Sequence, residues 1–160
     1  MLEKNELDAF LTQKGYVAIP IRENISGHLL IEVMVNGQPG LFILDTGAGG
    51  TVIDSSKAGE LNLVLQKEDI HFTGAGAGGQ GLEVCPSEGN RIEIGNFLIP
   101  DFTLSVMSLE HVSQSLIQIG AHEEVMGVIG VDVLKPAKAI IDYSQMMLYL
   151  MNTDTFETIS

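Results

Sequence analysis

The chain has 160 residues, 45% of them hydrophobic, and a mean hydropathy of +0.24, so it is long enough for a core of its own and too apolar for a disordered polymer. Eight basic residues against 21 acidic ones give a net charge of −13, the wrong sign for a protein that holds nucleic-acid phosphates. The lone Cys85 excludes an internal disulfide, and the longest uncharged apolar run, Val125 to Val131, is 7 residues against about 20 for a membrane-spanning helix, which argues against membrane insertion. The N-terminal MLEKNELDAF carries acids and no apolar stretch. As it stands it predicts a cytoplasmic protein, or a periplasmic or secreted one if a signal peptide has been removed.

Asn5 to Lys14 reads as a short amphipathic helix, with Asn5 as cap, Leu7, Phe10 and Leu11 on one face, and Gly15 after it. Tyr16 to Ile21 is extended and confined to a sheet edge by Pro20, and Asn24 to Gly27 is a turn. His28 to Val35 alternates, putting Leu29, Ile31, Val33 and Val35 on one face, and Asn36-Gly37 closes a hairpin. Leu41 to Leu44 is too short for a helix and apolar on both faces, which predicts a strand buried on both sides that ends at Asp45. Thr51 to Ile53 resumes a strand, and Asp54, Ser55 or Ser56 caps a short helix reaching Leu61.

Val64 to Phe72 and Leu82 to Cys85 read as extended arms around a glycine-rich tip, and Arg91 to Ile94 pairs through Gly95-Asn96 with Phe97 to Met107. Ser108 to Ile119 sets Leu109, Val112, Leu116 and Ile119 at helical spacing. From Val125 onward the pattern is strand, short helix capped by Asp132, strand, turn and strand. Many short strands with turn signals and no internal repeat predict a mostly β barrel or sandwich with small helical inserts.

Asp45-Thr46-Gly47 stands out, because it puts a carboxylate at the end of a buried strand on a turn whose Gly47, Gly49 and Gly50 permit tight backbone geometry. The flanks carry more than the tripeptide. LFILDTGAGGTVI resembles the catalytic turn of the retropepsin-like aspartic proteases, the family of the retroviral proteases and their bacterial relatives. About 30 residues after Asp45, the stretch Thr73 to Gly81 looks like the hairpin flap that closes over substrate in that family, and Val128-Ile129-Gly130 with Asp132, Leu134 and IIDY resembles its second half.

The resemblance spans about Tyr16 to Met151. It implies a closed β-barrel of the retropepsin type with short helices and one lobe per chain. Residues 1–15 are then an N-terminal helical extension, 16–151 the retropepsin-like domain and 152–160 a C-terminal tail. It further implies Asp45 as the catalytic residue, Thr46, Gly47, Ala48, Ile129 and Gly130 as support of the active-site loop, and Gly74, Ala75, Gly76, Ala77, Gly78 and Gly79 as the substrate-binding flap. Such chemistry needs two carboxylates sharing one proton, one accepting from water and the other donating to the developing oxyanion. Asp-Thr-Gly occurs once here, so the second Asp45 is expected from a second copy in a C2 homodimer that cleaves an extended peptide or protein.

No metal or organic cofactor is called for. Two departures from the family stand out: Gly49 and Gly50 leave part of the substrate wall without side chains, and the flap tip has no aromatic residue. Both keep open a non-catalytic peptide-binding or assembly module on the same fold. The glycine run formally contains dinucleotide fingerprints, but it leads through Leu82 to Cys85 and Pro86 rather than into a helix. His28, His71, His111 and His122 lack metal-ligand spacing and read as surface or half-buried residues, and no serine-nucleophile elbow is present. Cys85 reads as a small strand residue, Asp142 as a strand-end or turn residue, and Met146, Met147 and Met151 as core or dimer packing.

Overall fold

The computed structural model of the chain describes residues 2–73 and 81–153, with side chains from Glu6 onward. Its elements in chain order are α1 (Leu2–Gln13), β1 (Tyr16–Pro20), β2 (Arg22–Glu23), β3 (Leu29–Val35), β4 (Gln38–Leu44), β5 (Val52–Asp54), β6 (His71–Phe72), β7 (Glu83–Ile94), β8 (Phe97–Met107), α2 (Glu110–Gln118), β9 (Val125–Ile129), α3 (Val131–Leu134), β10 (Ile140–Asp142) and β11 (Met147–Met151). The hairpin of β3 and β4 forms because Asn36 and Gly37 take φ of 52° and 81°, the turn whose twist matches the strands it joins. Its register, Leu29↔Leu44 through Val35↔Gln38, sends Leu29, Ile31, Val33 and Val35 into the core with Phe42 and Leu44.

Parallel pairing of β4 with β9 and the β5–β8 and β7–β8 pairs continue the sheet in the order β3-β4-β9-β5-β8-β7. It returns to β3 through Met34↔Glu93 and Val35↔Ile92, so six strands close into a barrel, as the resemblance implied. A separate sheet, β1-β11-β10, has β1 at its edge, where Pro20 was expected. The strand of Leu41 to Leu44 is indeed shared by two cores. Phe42 and Leu44 join the barrel interior with Ile53, Phe97 and Leu104, while Ile43 joins a smaller cluster with Leu30, Leu116, Ala121 and Val125.

Several local expectations are corrected. α1 begins at Leu2, so Asn5 lies within it rather than capping it, and of the face predicted for it only Leu11 is buried. After Asp54 there is one 3-10 turn, Ser55–Lys57, instead of a helix to Leu61. Asp54 stands at the N-cap position of that turn without capping it through its side chain: the carboxylate accepts from Ser56 Oγ (2.8 Å) and from the N–H of Leu109 (3.1 Å), the N-cap residue of α2. Val64 to Phe72 is not a strand: its charged centre forms a 3-10 turn, Lys67–Asp69, and only His71 and Phe72 pair.

Conversely, β7 runs unbroken from Glu83 past Pro86 and Gly89 to Ile94. Proline is tolerated because β6 pairs only as far as Val84, so no neighbour on that side asks Pro86 for an N–H. Gly89, at φ 74°, falls where the register with β8 shifts between Ser87 and Asn90. Ile119 is exposed beyond the end of α2, whereas Leu109 and Leu116 are buried. Cys85 is a buried strand residue, and the four histidines are all exposed.

Candidate active site

The parallel ladder of β4 and β9 pairs Ile43 with Val128 and Leu44 with Ile129, and it extends one bond further, from Asp45 N to the Ile129 carbonyl (3.0 Å). Asp45 therefore leaves the barrel on a fixed backbone. The chain then turns, with Ala48 N donating to the Asp45 carbonyl at 3.2 Å and the Ala48 carbonyl accepting from Val131 N at 2.9 Å. Gly130 lies in the crossing. A Cβ there would stand 2.6 Å from the Gly50 carbonyl oxygen and 2.7 Å from that of Ala48, so space and not a left-handed φ demands glycine, since φ is −109°. The loop residues Asp45 to Ala48 and the strand-end pair Ile129 and Gly130 are thus brought together.

Thr51 and Asp132 hold the far end of the turn. Asp132 Oδ1 accepts from Thr51 Oγ1 at 2.7 Å and Oδ2 from Thr51 N at 2.9 Å, while Thr51 Oγ1 accepts from Gly130 N at 3.1 Å. Thr51 is 2% exposed, so these bonds satisfy groups that water cannot reach. This corrects the reading of Asp132 as a helix cap: Gly130 occupies that position and Asp132 sits in the first turn of α3 with its carboxylate turned back to Thr51. Sequence reasoning missed the latch because its two halves lie 81 residues apart.

On this support the side chains of Asp45 and Thr46 are exposed. Asp45 Oδ1 accepts a bond from Gly47 N at 2.8 Å. A Cβ at Gly47 would stand 3.2 Å from that oxygen, whereas Gly49 has nothing within 4 Å; neither residue, nor Gly50, adopts positive φ. The expectation that these glycines serve tight backbone geometry is therefore corrected: Gly47 admits an N–H to the carboxylate, and Gly49 is not forced by backbone or space. Among the described residues, no group of three or more His, Cys, Asp or Glu side chains could hold a metal ion.

His28, to sequence reasoning only a surface or half-buried residue, stands close to this turn. The ladder ends at Leu29↔Leu44, and His28 and Asp45 are the next residues beyond that pair on the two strands. Asn24 Oδ1 accepts from Ser26 N (3.1 Å), His28 N (2.9 Å) and Ser26 Oγ (2.6 Å). Ser26 Oγ also lies 2.6 Å from His28 Nδ1, so the ring is held in the same turn network. The signal was available in the alternation, because hairpin register from Asn36-Gly37 brings position 28 level with 45. Strand alternation also puts Ile43 on the same face as Asp45, so half-buried Val128, Leu41 and Val112 form an apolar wall on that side.

Gly74, Ala75, Gly76, Ala77, Gly78 and Gly79, the predicted flap, lie outside the described residues. Their flanks pair as His71↔Val84 and Phe72↔Glu83, followed by a bond from Thr73 N to the Leu82 carbonyl at 3.0 Å. Phe72 and Leu82 are 67% and 41% exposed. Asp142 is a strand-end residue, the last of β10, whose carboxylate also holds the turn after it: the Ser144 hydroxyl, followed by the N–H groups of Gln145 and Ser144, holds its carboxyl below the usual range against the opposing effect of burial. No helix among the described residues is long and apolar enough to cross a membrane.

Comparison with known proteins bears on this arrangement. A family model described as aspartyl protease matches residues 31–133, from β3 through the Asp45 turn to α3. Among solved structures, a retropepsin-like aspartic protease from Rickettsia conorii superposes with a TM-score of 0.54 at 20% identity, covering 84% of this chain and 89% of that one. An EIAV protease complexed with the inhibitor HBY-793 gives 0.50 at 19% identity, over 76% and 98%. The retroviral protease-like domain of Ddi1 from Leishmania major gives 0.53 at 17%, over 79% and 90%. At such identities the likeness speaks to the fold, which is retropepsin-like. No curated protein sequence matches the chain.

Proposed function

Because the chain belongs to the aspartyl protease family, we propose that it is an endopeptidase that works as a C2 homodimer, with Asp45 of each copy forming the catalytic pair. The observation that carries this is an exposed carboxylate on a turn pinned from beneath by Ile129, Gly130 and Val131. A group so held spends no reorganisation when substrate arrives. One ionised Asp45 takes a proton from water as the water oxygen attacks the peptide carbonyl; the protonated Asp45 of the other copy gives its proton to the carbonyl oxygen. On collapse of the tetrahedral intermediate the C–N bond breaks: the Asp45 that took the proton from water gives it to the leaving amine, the other Asp45 takes a proton from a hydroxyl of the tetrahedral carbon as the carbonyl re-forms, and the pair again holds one proton.

One chain supplies a single Asp-Thr-Gly, so the pair requires two chains, and exposed Thr46, with no hydrogen bond among the described residues, is the neighbour that would bond across the axis. The glycine-rich stretch between Thr73 and Gly81 closes over the bound peptide in this proposal, and the apolar wall of Val128, Leu41 and Val112 receives an apolar side chain beside the scissile bond. Digestion of a peptide library by wild type and Asp45→Asn tests it. Asn cannot exchange the proton, so cleavage should fall by about 10³ or more with the fold intact. Excess Asp45→Asn should also suppress wild type through mixed dimers. Equal digestion by both proteins would overturn the mechanism.

A further inference from the structure

Beside Thr46 the surface sinks into a hollow of about 430 Å³, floored by Leu134, Ala139 and Ile141 and rimmed by Lys135 and Lys138. Both lysines are exposed, and among the described residues neither has a carboxylate within 4 Å. In a chain with 21 acids and 8 bases, two unpaired cations at one rim are conspicuous. The last strand delivers the chain to this place. Met151 N donates to the Ala137 carbonyl at 2.8 Å and Thr153 Oγ1 to the Pro136 carbonyl at 3.0 Å, so the described chain ends against Pro136, the residue that follows Lys135.

The C-terminal residues beyond Thr153 are Asp154-Thr155-Phe156-Glu157-Thr158-Ile159-Ser160, with two acids and two large apolar side chains. Fully extended, that length reaches roughly 23 Å, ample to cross the hollow. We propose that residues 154–160 dock on their own chain in this hollow, Asp154 and Glu157 against Lys135 and Lys138 and Phe156 on the apolar floor. The tether argues for the same chain over a second one, because a short linker holds the segment at an effective concentration on the order of millimolar. A docked tail covers the surface next to Thr46. If the homodimer reading above holds, the tail competes with the second copy for that face and restrains assembly of the active site.

The chain has no Trp, so Phe156→Trp gives a single reporter. Docking predicts emission shifted to shorter wavelength than that of a free peptide of residues 152–160 carrying the same Trp, with weaker acrylamide quenching. Both differences should vanish in Lys135→Glu/Lys138→Glu and diminish in high salt. Emission and quenching equal to the free peptide, or indifferent to the lysine changes, would overturn the proposal. So would a shift that appears only as protein concentration rises, which places the tail on another copy. In sedimentation, deletion of residues 154–160 should tighten dimerisation by about a hundredfold if the tail is docked nine times in ten, since one open chain in ten is left and a dimer needs two. Weaker dimerisation after deletion would overturn the restraint. A chain that stays monomeric with and without the tail would overturn the homodimer reading alone, since the Trp signal judges docking independently.

Discussion

Asp45 and Thr46 are open to solvent, as are Phe72 and Leu82 flanking the glycine-rich stretch, yet the backbone beneath the two regions is held in opposite ways. The Asp45 turn is tied to β9 and α3 by Asp45 N to Ile129, Val131 N to Ala48 and the Thr51–Asp132 latch. The flanks of the glycine-rich stretch have two register pairs, one further backbone bond, and only Val84 buried, with His71, Phe72 and Leu82 left exposed. Exposure alone therefore does not distinguish them. What does is how many backbone groups are satisfied by distant segments; under the proposed function the carboxylate needs a fixed base and the glycine-rich segment must open at little cost.

The sharpest way to break this contrast is Gly130→Ala. Its Cβ would meet two carbonyl oxygens at 2.6 and 2.7 Å, both backbone, so the loss should be about 3 kcal/mol or more in urea unfolding. Gly49→Ala, in the same loop with nothing within 4 Å, should be neutral or slightly stabilising. Equal costs for the two would show that the crossing is not tight. Next comes Asp132→Ala, which strands the buried Thr51 hydroxyl and N–H. It should cost about 2 kcal/mol and lower peptide cleavage, with hydrogen exchange rising at residues 45–51.

A control lies away from both regions. Tyr149, 2% exposed, donates to Asp8 Oδ1 at 3.1 Å and holds α1 against β11. Burial first, then the bond to Asp8 and its charge, raise the Tyr149 pKa above the ordinary 10.0. The unfolded chain thus ionises first. The stabilisation is fully present below about pH 10 and is lost as pH rises through the higher folded value. Alkaline titration followed at the tyrosinate absorbance should loosen α1 while exchange at residues 45–51 stays slow; simultaneous loss at both places would mean that the turn borrows its rigidity from α1. The smallest expected effect on stability is at Phe72→Ala, within about 0.5 kcal/mol because the ring is exposed, whereas its KM for an extended peptide should rise. A large stability loss there would erase the difference between the two regions.

Local pattern determined much of this protein. Alternation and Asn36-Gly37 set the first hairpin and its register, the doubly apolar Leu41 to Leu44 required a strand buried on both sides, and the end of that strand singled out Asp45. These features are legible because strand period and turn φ are properties of neighbouring residues. Tertiary structure decided the rest. Closure of β7 onto β3, the passage of β7 through Pro86 and the return of Asp132 to Thr51 each depend on segments whose partners no local pattern names. Even the glycines divide this way: Gly37 is required by its own φ of 81°, while Gly130 is required only by carbonyls that arrive from a loop about 80 residues earlier, because steric space belongs to the packed whole and not to the residue.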